Sequence, residues 1–240
     1  MNVLVVGAGE MGTWFGGAVH ASVAYADRNR AAAETAAAAT DGRAVGLDTT
    51  EQFDVVCFAV PIPAVSDAIA AHADRATRAV VDITGIMEPA VAAMRTHASE
   101  HERVSLHPLF GAAYAPGRIA VVADESGPVT DRIRSTLLER GNELFETTAV
   151  EHDRSMSTVQ AKTHAAILAF GLASEPVREE FHTPVSEQLS ALTDRVTGGD
   201  PDVYAEIQAA FGGAEDVAAA TRRIAEADAE TFETLYRDAR

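Results

Sequence analysis

Cysteine and lysine are almost absent from this 240-residue sequence, and no long apolar run occurs in it. The single cysteine, Cys57, excludes an internal disulfide and cannot by itself supply a cysteine-ligated metal site. The longest apolar stretch, residues 53–65, contains Asp54 and two prolines and falls short of the ~20 apolar residues of a membrane span. No basic segment precedes the apolar N-terminal run, so we expect no secretory signal. These absences favour a soluble cytoplasmic protein and predict no metal site.

Basic residues are also scarce. The sequence has 19 basic and 36 acidic residues, which gives a net charge of −17, and Lys162 is the only lysine. A field of this sign repels nucleic-acid phosphates, so we exclude nucleic acid as a partner. Simple acidity would suffice for solubility, and GC-rich coding could also exchange lysine for arginine. We favour a third interpretation, adaptation to a salt-rich cytoplasm in which ions screen the repulsion among carboxylates.

The first half of the chain alternates strand-like and helix-like stretches, the pattern of a parallel sheet covered by helices on both faces. Short β-branched runs predict strands at residues 2–6, 22–26, 53–60, 79–83, 103–106, 118–123 and 143–147. Helical spacing predicts helices at about residues 11–20, 30–39, 64–73 and 128–140. After residue 149 only helical periodicity continues. We therefore predict an α/β domain, residues 1–149, and an all-α domain, residues 150–240.

A glycine-rich turn follows the first predicted strand. Gly7, Gly9 and Gly12 form the pattern G-x-G-x-x-G, which allows a tight turn, a close approach of the backbone to a pyrophosphate, and close packing of helix on strand. Asp27 ends the second strand twenty residues after Gly7, where a carboxylate would bind the adenosine ribose hydroxyls. This context predicts a dinucleotide site whose residues are Gly7, Ala8, Gly9, Glu10, Met11, Gly12, Asp27 and Arg28.

The predicted cofactor is NAD. The carboxylate of Asp27 would repel a 2′-phosphate, whereas Arg28 and Arg30 nearby keep NADP open as an alternative. The segment Ala59-Val60-Pro61 closes the next long strand, at the carboxyl edge where such sheets hold their ligands. We expect its backbone to lie beside the cofactor.

Three places outside the glycine turn could carry chemistry. His107 ends a predicted strand at the same sheet edge, where a neutral imidazole can accept a proton from a substrate hydroxyl during hydride removal. Gln160 and His164 lie four residues apart, on one helix face. Arg195 is of the type that binds a carboxylate. Taken singly, such residues more often belong to the core or the surface, so spacing alone predicts a nicotinamide-dependent oxidoreductase of undefined substrate.

At these residues the chain resembles the prephenate dehydrogenases of tyrosine biosynthesis. The segment from Leu106 to Gly111, LHPLFG, is similar to that family's L-H-P-M-F-G segment. Two further stretches are similar to its A-V-E-H-D…M…Q…H helix and its R…D-P-x-L-Y-A run: residues 149–153 with Met156, Gln160 and His164, and Arg195 with Asp200-Pro201 and residues 203–205. With the glycine turn, the likeness spans roughly residues 2 to 210. It implies a Rossmann-like, doubly wound N-terminal domain and a helical C-terminal domain that forms a homodimer.

The chemistry that the resemblance implies is oxidation of the C4 hydroxyl of prephenate with loss of its ring carboxylate as CO2. The products are 4-hydroxyphenylpyruvate and NADH. By the same resemblance His107 is the catalytic histidine and Arg195 holds a substrate carboxylate, while Gln160 and His164 complete the pocket. The 240 residues leave no room for a fused mutase or regulatory domain, so we expect a monofunctional enzyme.

One turn departs from the family pattern. After the strand that ends at Asp82 the family shows a D-x-x-S-x-K-like turn, and this chain has Gly85 at the serine and Met87 at the lysine. Thr84 is our candidate for the missing catalytic hydroxyl. The departure keeps alternatives open: an arogenate dehydrogenase, another small NAD(P)-dependent oxidoreductase, or a catalytically silent NAD-binding regulator.

Overall fold

The computed structural model describes residues 1–239, and the chain divides into two compact units. The first is Met1–Asp153, and the second begins at Arg154. The division falls inside the helix Ala149–Met156, after Asp153 rather than after residue 149. No helix among residues 1–239 has the length and apolarity needed to cross a bilayer.

An eight-stranded sheet forms the centre of the first unit. Its strands, in chain order, are β1 Asn2–Val6, β2 Ser22–Ala26, β3 Arg43–Ala44, β4 Phe53–Phe58, β5 Ala76–Asp82, β6 Glu102–Pro108, β7 Arg118–Glu125 and β8 Glu143–Glu146. They lie side by side in the order β3-β2-β1-β4-β5-β6-β7-β8. The order reverses direction at β1, so the crevice that binds ligands in such sheets lies outside the carboxyl ends of β1 and β4.

The sheet is parallel from β3 to β6, as predicted, but β7 pairs antiparallel with β6. The reason is the connection: only residues 109–117 join these strands, and a parallel neighbour needs a crossover of a dozen or more residues. Strand β8 then pairs parallel with β7, so both run against the other six. The carboxyl ends of β1, β4, β5 and β6 therefore share one edge.

Helices cover both faces of this sheet, which confirms the doubly wound architecture. They are α1 Glu10–Ala18, α2 Arg30–Ala39, α3 Val65–His72, α4 Glu88–His97, α5 Pro128–Glu139 and α6 Ala149–Met156. Successive strand residues point to opposite faces, so Val3 and Val5 join one buried cluster while Leu4 and Val6 join another. The first cluster includes residues of α1, α2 and α5, and the second includes residues of α3 and α4.

The second unit is all helical, as predicted. After a π-helical segment, Ser157–Lys162, it contains α7 Thr163–Ala173, α8 Pro184–Thr197, α9 Pro201–Phe211, α10 Ala214–Glu226 and α11 Ala229–Asp238. Few of its described apolar side chains are buried, among them Ile167, Val196 and Ile207. Leu172 and Phe181 are 89% and 66% exposed. Val159, in the π-helical segment, is also exposed.

Candidate functional site

The glycine turn is built as the sequence predicts. Gly7 has a φ of 99°, a left-handed conformation that favours glycine, and its N–H donates to the carbonyl of Ala26 at 2.9 Å. A Cβ on Gly7 would lie 2.2 Å from the carbonyl oxygen of Ala59, and a Cβ on Gly12 would lie 2.0 Å from that of Gly7. Side chains at these two positions would force β1, β4 and α1 apart.

The second glycine behaves differently. A Cβ on Gly9 would meet no heavy atom within 4 Å, so the space beside it is open. Gly9 is also the N-cap of α1, whose first backbone N–H groups have no partner within the helix. An open space at a helix N-terminus fits the pyrophosphate of a dinucleotide.

Asp27 lies against this turn. One carboxylate oxygen accepts the N–H of Ala8 at 2.8 Å, and the other accepts the N–H of Asn29 at 2.7 Å. The carboxylate thus fixes the glycine turn relative to the end of β2. Arg28 is exposed and forms no ion pair with residues 1–239, so its guanidinium is available to a ligand.

A cleft of about 450 Å³ opens beside the turn. Residues of the glycine turn, α1 and α2 line it: Ala8, Gly9, Glu10, Thr13, Asn29, Ala31, Ala32, Thr35, Ala36 and Ala39. Glu10 is exposed at the start of α1, whereas Met11 packs against the core. The segment Ala59-Val60-Pro61 follows β4, and the contact of its first carbonyl with Gly7 brings it to the turn.

His107 lies near the carboxyl end of β6 and is 7% exposed. Burial and the neighbouring His152 lower the pKa of His107 to about 3, although the carboxylate of Asp153 opposes this shift. The imidazole is therefore neutral at neutral pH. Its Nδ1 lies 2.7 Å from Nε2 of His152, whereas its Nε2 has no hydrogen-bond partner within residues 1–153. A neutral ring with one free nitrogen can accept a proton.

The turn after β5 faces this free nitrogen. A Cβ on Gly85 would lie 3.8 Å from Nε2 of His107, so a side chain there would reach the histidine. Thr84, our candidate for the catalytic hydroxyl, is 4% exposed. Its hydroxyl donates to the carbonyl of Ile86 at 3.1 Å within the turn. Its oxygen keeps a lone pair with which it could accept a hydrogen bond.

A buried carboxyl group supports the same turn. Asp82 accepts hydrogen bonds from the Ser105 hydroxyl at 2.7 Å and from the N–H of Thr84 at 3.1 Å. Burial raises the pKa of Asp82 to about 7, although these hydrogen bonds act to lower it. The group therefore titrates near neutral pH inside the sheet.

The second unit holds the other predicted residues. Gln160 lies in the π-helical segment and His164 in α7, and Oε1 of the first and Nδ1 of the second are buried without a hydrogen-bond partner. The ring of His164 packs edge-on against Tyr204 of α9, 4.8 Å between centroids, and burial lowers the pKa of His164. Unpartnered buried polar atoms cost free energy unless a ligand or water satisfies them.

Arg195 lies in the last turn of α8 and is exposed. Within residues 1–239 it forms no ion pair, so its charge is not neutralised by this chain. A free guanidinium can bind a carboxylate with two parallel hydrogen bonds.

Comparisons with known proteins identify the family of this chain. A family model described as the nucleotide-binding domain of prephenate dehydrogenase matches residues 17–121. The 4-amino-4-deoxyprephenate dehydrogenase of Streptomyces pristinaespiralis is 30% identical over 205 residues, which are 78% of this chain and 69% of that protein. The chain belongs to the prephenate dehydrogenase family. The resemblance predicted from the motifs is thus confirmed.

Two further members extend the comparison. A "Probable arogenate/prephenate dehydrogenase" of Methanocaldococcus jannaschii is 27% identical over 178 residues, which are 68% of this chain but 40% of that protein. The crystal structure of prephenate dehydrogenase from Aquifex aeolicus, in complex with hydroxyphenyl propionate and NAD+, has a TM-score of 0.72 at 16% identity. It covers 100% of this chain and 96% of that chain, so the fold is shared throughout.

Sequence reasoning missed two residues beside the family histidine. It assigned no role to His152 or Asp153, although both stand in the AVEHD segment that carried the resemblance. Nδ1 of His152 lies 2.7 Å from the Asp153 carboxylate, and Nε2 of His152 lies 2.7 Å from His107. An adjacent His-Asp pair in a family-like motif was the available signal.

Proposed function

We propose that this chain is an NAD-dependent dehydrogenase that oxidises a prephenate-type cyclohexadiene at ring carbon C4. Prephenate is the substrate that we put first, with 4-hydroxyphenylpyruvate, CO2 and NADH as products. Family membership supports the reaction class, and one observation carries the chemistry: Nε2 of the neutral His107 is free at the sheet edge where the dinucleotide would lie.

The glycine turn, Asp27 and the segment Ala59-Val60-Pro61 would hold the cofactor. The open position beside Gly9 suits the pyrophosphate, and both oxygens of Asp27 still have lone pairs for ribose hydroxyls. The Aquifex aeolicus relative was crystallised with NAD+, and a carboxylate at position 27 would repel the 2′-phosphate of NADP. NAD, when bound, accepts the hydride that leaves C4 of the substrate.

His107 would supply the proton chemistry. Its Nε2 accepts the hydrogen bond of the C4 hydroxyl, and it takes the O–H proton as the carbonyl forms. When the ring carboxylate departs as CO2, the ring becomes aromatic and the proton returns to the C4 oxygen. The balance is then one hydride lost and one CO2 released, with no net proton taken up.

Arg195 would bind a substrate carboxylate, since its guanidinium is unpaired within the described chain. The unpartnered atoms of Gln160 and His164 would accept or donate hydrogen bonds to polar groups of the same substrate. Thr84 would accept a hydrogen bond through its oxygen while its own O–H stays on Ile86. Prephenate has two carboxylates, and the guanidinium of Arg195 would pair with one of them.

NADH formation at 340 nm tests this proposal, with NAD and each of prephenate, arogenate and 4-amino-4-deoxyprephenate in molar KCl. We expect turnover with prephenate. Turnover with one of the other two would correct the substrate and keep the reaction class; the Streptomyces relative makes the third compound a necessary arm. NAD binding without turnover on any of them would favour a catalytically silent regulator and overturn the proposal.

His107→Ala tests the catalytic assignment. We expect kcat to fall by about 10²–10⁴-fold with little change in KM, because the proton acceptor acts in the transition state. The matched control is His97→Ala, on the exposed side of α4, which should keep wild-type kinetics. An unchanged kcat in His107→Ala would remove His107 from the reaction.

The proposal includes a homodimer in a salt-rich cytoplasm. Exposed apolar side chains of the second unit, such as Leu172 and Phe181, suit a contact with a second copy, because large exposed apolar surface marks interaction sites. Light scattering in molar KCl tests the dimer, and a monomeric mass would contradict it.

Removal of KCl should unfold the protein, since the net charge of −17 is then unscreened. Unchanged ellipticity without salt would contradict the halophilic interpretation.

A further inference from the structure

Three side chains near the end of β6 form a continuous hydrogen-bonded chain. Asp153 Oδ1 lies 2.7 Å from Nδ1 of His152, and Nε2 of His152 lies 2.7 Å from Nδ1 of His107. The two imidazole rings meet edge-on, with centroids 4.9 Å apart. His152 is 3% exposed, so solvent cannot easily replace either hydrogen bond.

The first member of this chain is held in place by the backbone. The Asp153 carboxylate accepts the N–H groups of Met87 and Glu88, each at 2.9 Å, at the start of α4. Burial acts to raise the pKa of Asp153, but the hydrogen bonds from His152 and from these two amides outweigh it and lower the pKa. Asp153 is therefore an ionised carboxylate with three N–H donors around it.

The protons of the chain follow from this ionisation. A carboxylate can only accept, so Nδ1 of His152 carries a proton. In a neutral imidazole the other nitrogen is then an acceptor, and Nε2 of His152 accepts from Nδ1–H of His107. Nε2 of His107 is left with its lone pair, on the side of the ring that faces Gly85.

We propose that Asp153 and His152 are positioning residues that hold His107 in the Nδ1–H tautomer and so present its Nε2 as a proton acceptor to the substrate hydroxyl. The reaction in which this acceptor is used rests on the proposed function. The tautomer itself is a property of the protein without substrate.

The same chain stabilises the proton once it is transferred. As Nε2 of His107 takes the hydroxyl proton, the Asp153 carboxylate at the far end of the chain favours the positive charge. It opposes burial and the neighbouring His152, which both disfavour a charged His107. The proton then returns by the same route when the ring becomes aromatic, so the chain ends each cycle in its starting state.

The alternative arrangement is a doubly protonated His152 paired with Asp153. His107 would then accept at Nδ1 and carry its proton on Nε2, which would make it a donor toward the substrate. Long-range ¹H–¹⁵N NMR of the ¹⁵N-labelled wild-type protein distinguishes the two, since protonated and unprotonated ring nitrogens have well-separated shifts. We expect His107 protonated on Nδ1 alone and His152 neutral. A His107 protonated on Nε2 would overturn the proposal whether or not the enzyme turns over.

Asp153→Asn is the matching kinetic test. The amide removes the charge and leaves one acceptor oxygen for three N–H donors, so the His107 tautomer is no longer fixed. We expect kcat to fall about 10- to 100-fold or more with KM nearly unchanged, as for other orienting partners of a catalytic histidine. In NMR, the Nε2 signal of His107 should move toward that of a mixed tautomer.

Glu102→Gln is the control. The Glu102 carboxylate also accepts two backbone N–H groups at the start of a helix, those of Val129 and Thr130 at 2.9 and 2.8 Å, but within residues 1–239 it forms no hydrogen bond with a histidine. Equal kinetics in both variants would overturn the positioning role. If the wild type turns over none of the substrates, the proposed function fails, and the tautomer assignment is still decided by NMR.

Discussion

Replacing Gly9 and Gly12 separately by alanine should separate cofactor binding from folding. The two substitutions add the same methyl group at positions three residues apart on one short turn. At Gly12 the new Cβ would lie 2.0 Å from the Gly7 carbonyl oxygen, whereas at Gly9 it would meet nothing within 4 Å. Any difference in stability or NAD+ affinity between the two variants therefore reflects how much space surrounds each glycine.

The expected magnitudes follow from this geometry. At Gly12 the backbone must open by more than an ångström, and overpacking of this kind costs about 1–3 kcal/mol of unfolding free energy. At Gly9 the loss of a favoured N-cap costs less than about 1 kcal/mol. The Gly9 methyl group would instead occupy the space proposed for the pyrophosphate. Loss of one hydrogen bond to a charged group costs about 1.5–3 kcal/mol, which is roughly a 10- to 150-fold rise in the Kd for NAD+.

Denaturant unfolding and calorimetric titration with NAD+, both in molar KCl, measure the two effects. We expect Gly12→Ala to lose mainly stability and Gly9→Ala to lose mainly affinity. Wild-type affinity in Gly9→Ala would refute the placing of the pyrophosphate beside Gly9. Wild-type stability in Gly12→Ala would refute the argument from close packing of α1 on the turn.

Two further predictions concern the substrate arginine and the buried carboxyl group. Arg195→Ala should raise KM about tenfold or more and change kcat less, because it removes a charged hydrogen bond to the bound substrate; steady-state kinetics check this, and an unaltered KM would take Arg195 out of the site. Asp82→Asn should become progressively more stable relative to the wild type as pH rises. The folded-state pKa of Asp82, about 7, lies above the ordinary 3.8, so between these pH values the folded wild type binds a proton that the unfolded chain does not. Its free energy of unfolding therefore falls as pH rises through this range, by at most ~1.4 kcal/mol per pH unit. Chemical unfolding of both proteins at pH 5 and pH 8 in the same KCl gives this difference, and a pH-independent difference would contradict the raised pKa.

Much of the first unit could be predicted from the sequence because its signals are local. Strands such as β1 and β2 are short, largely buried apolar runs. The turn between β1 and α1 needs glycine at three positions, and these glycines are visible in the sequence. The two-residue strand β3 and the helix α4 were not predicted. Helix α4 has a weak apolar pattern, and a carboxylate 65 residues away in the chain, Asp153, accepts its first N–H groups.

The helical unit shows the same limit. Helical periodicity was enough to predict its class, but the π-helical segment Ser157–Lys162 changes the spacing within it. Val159, within that segment, is exposed. A local change from α-helical to π-helical backbone cannot be seen in residue types alone.

By itself the sequence determined the doubly wound α/β class, the nucleotide turn and the family, because periodicity, glycine spacing and short motifs are properties of neighbouring residues. Only the tertiary structure decided the direction of β7 and the surroundings of His107. His152 lies 45 residues from His107 in the chain, and their hydrogen bond depends on how α6 meets the end of β6. Burial and the partner on Nδ1 give this histidine its neutral form and its free Nε2, and the contact between the two motifs that hold these histidines is made only in the folded chain.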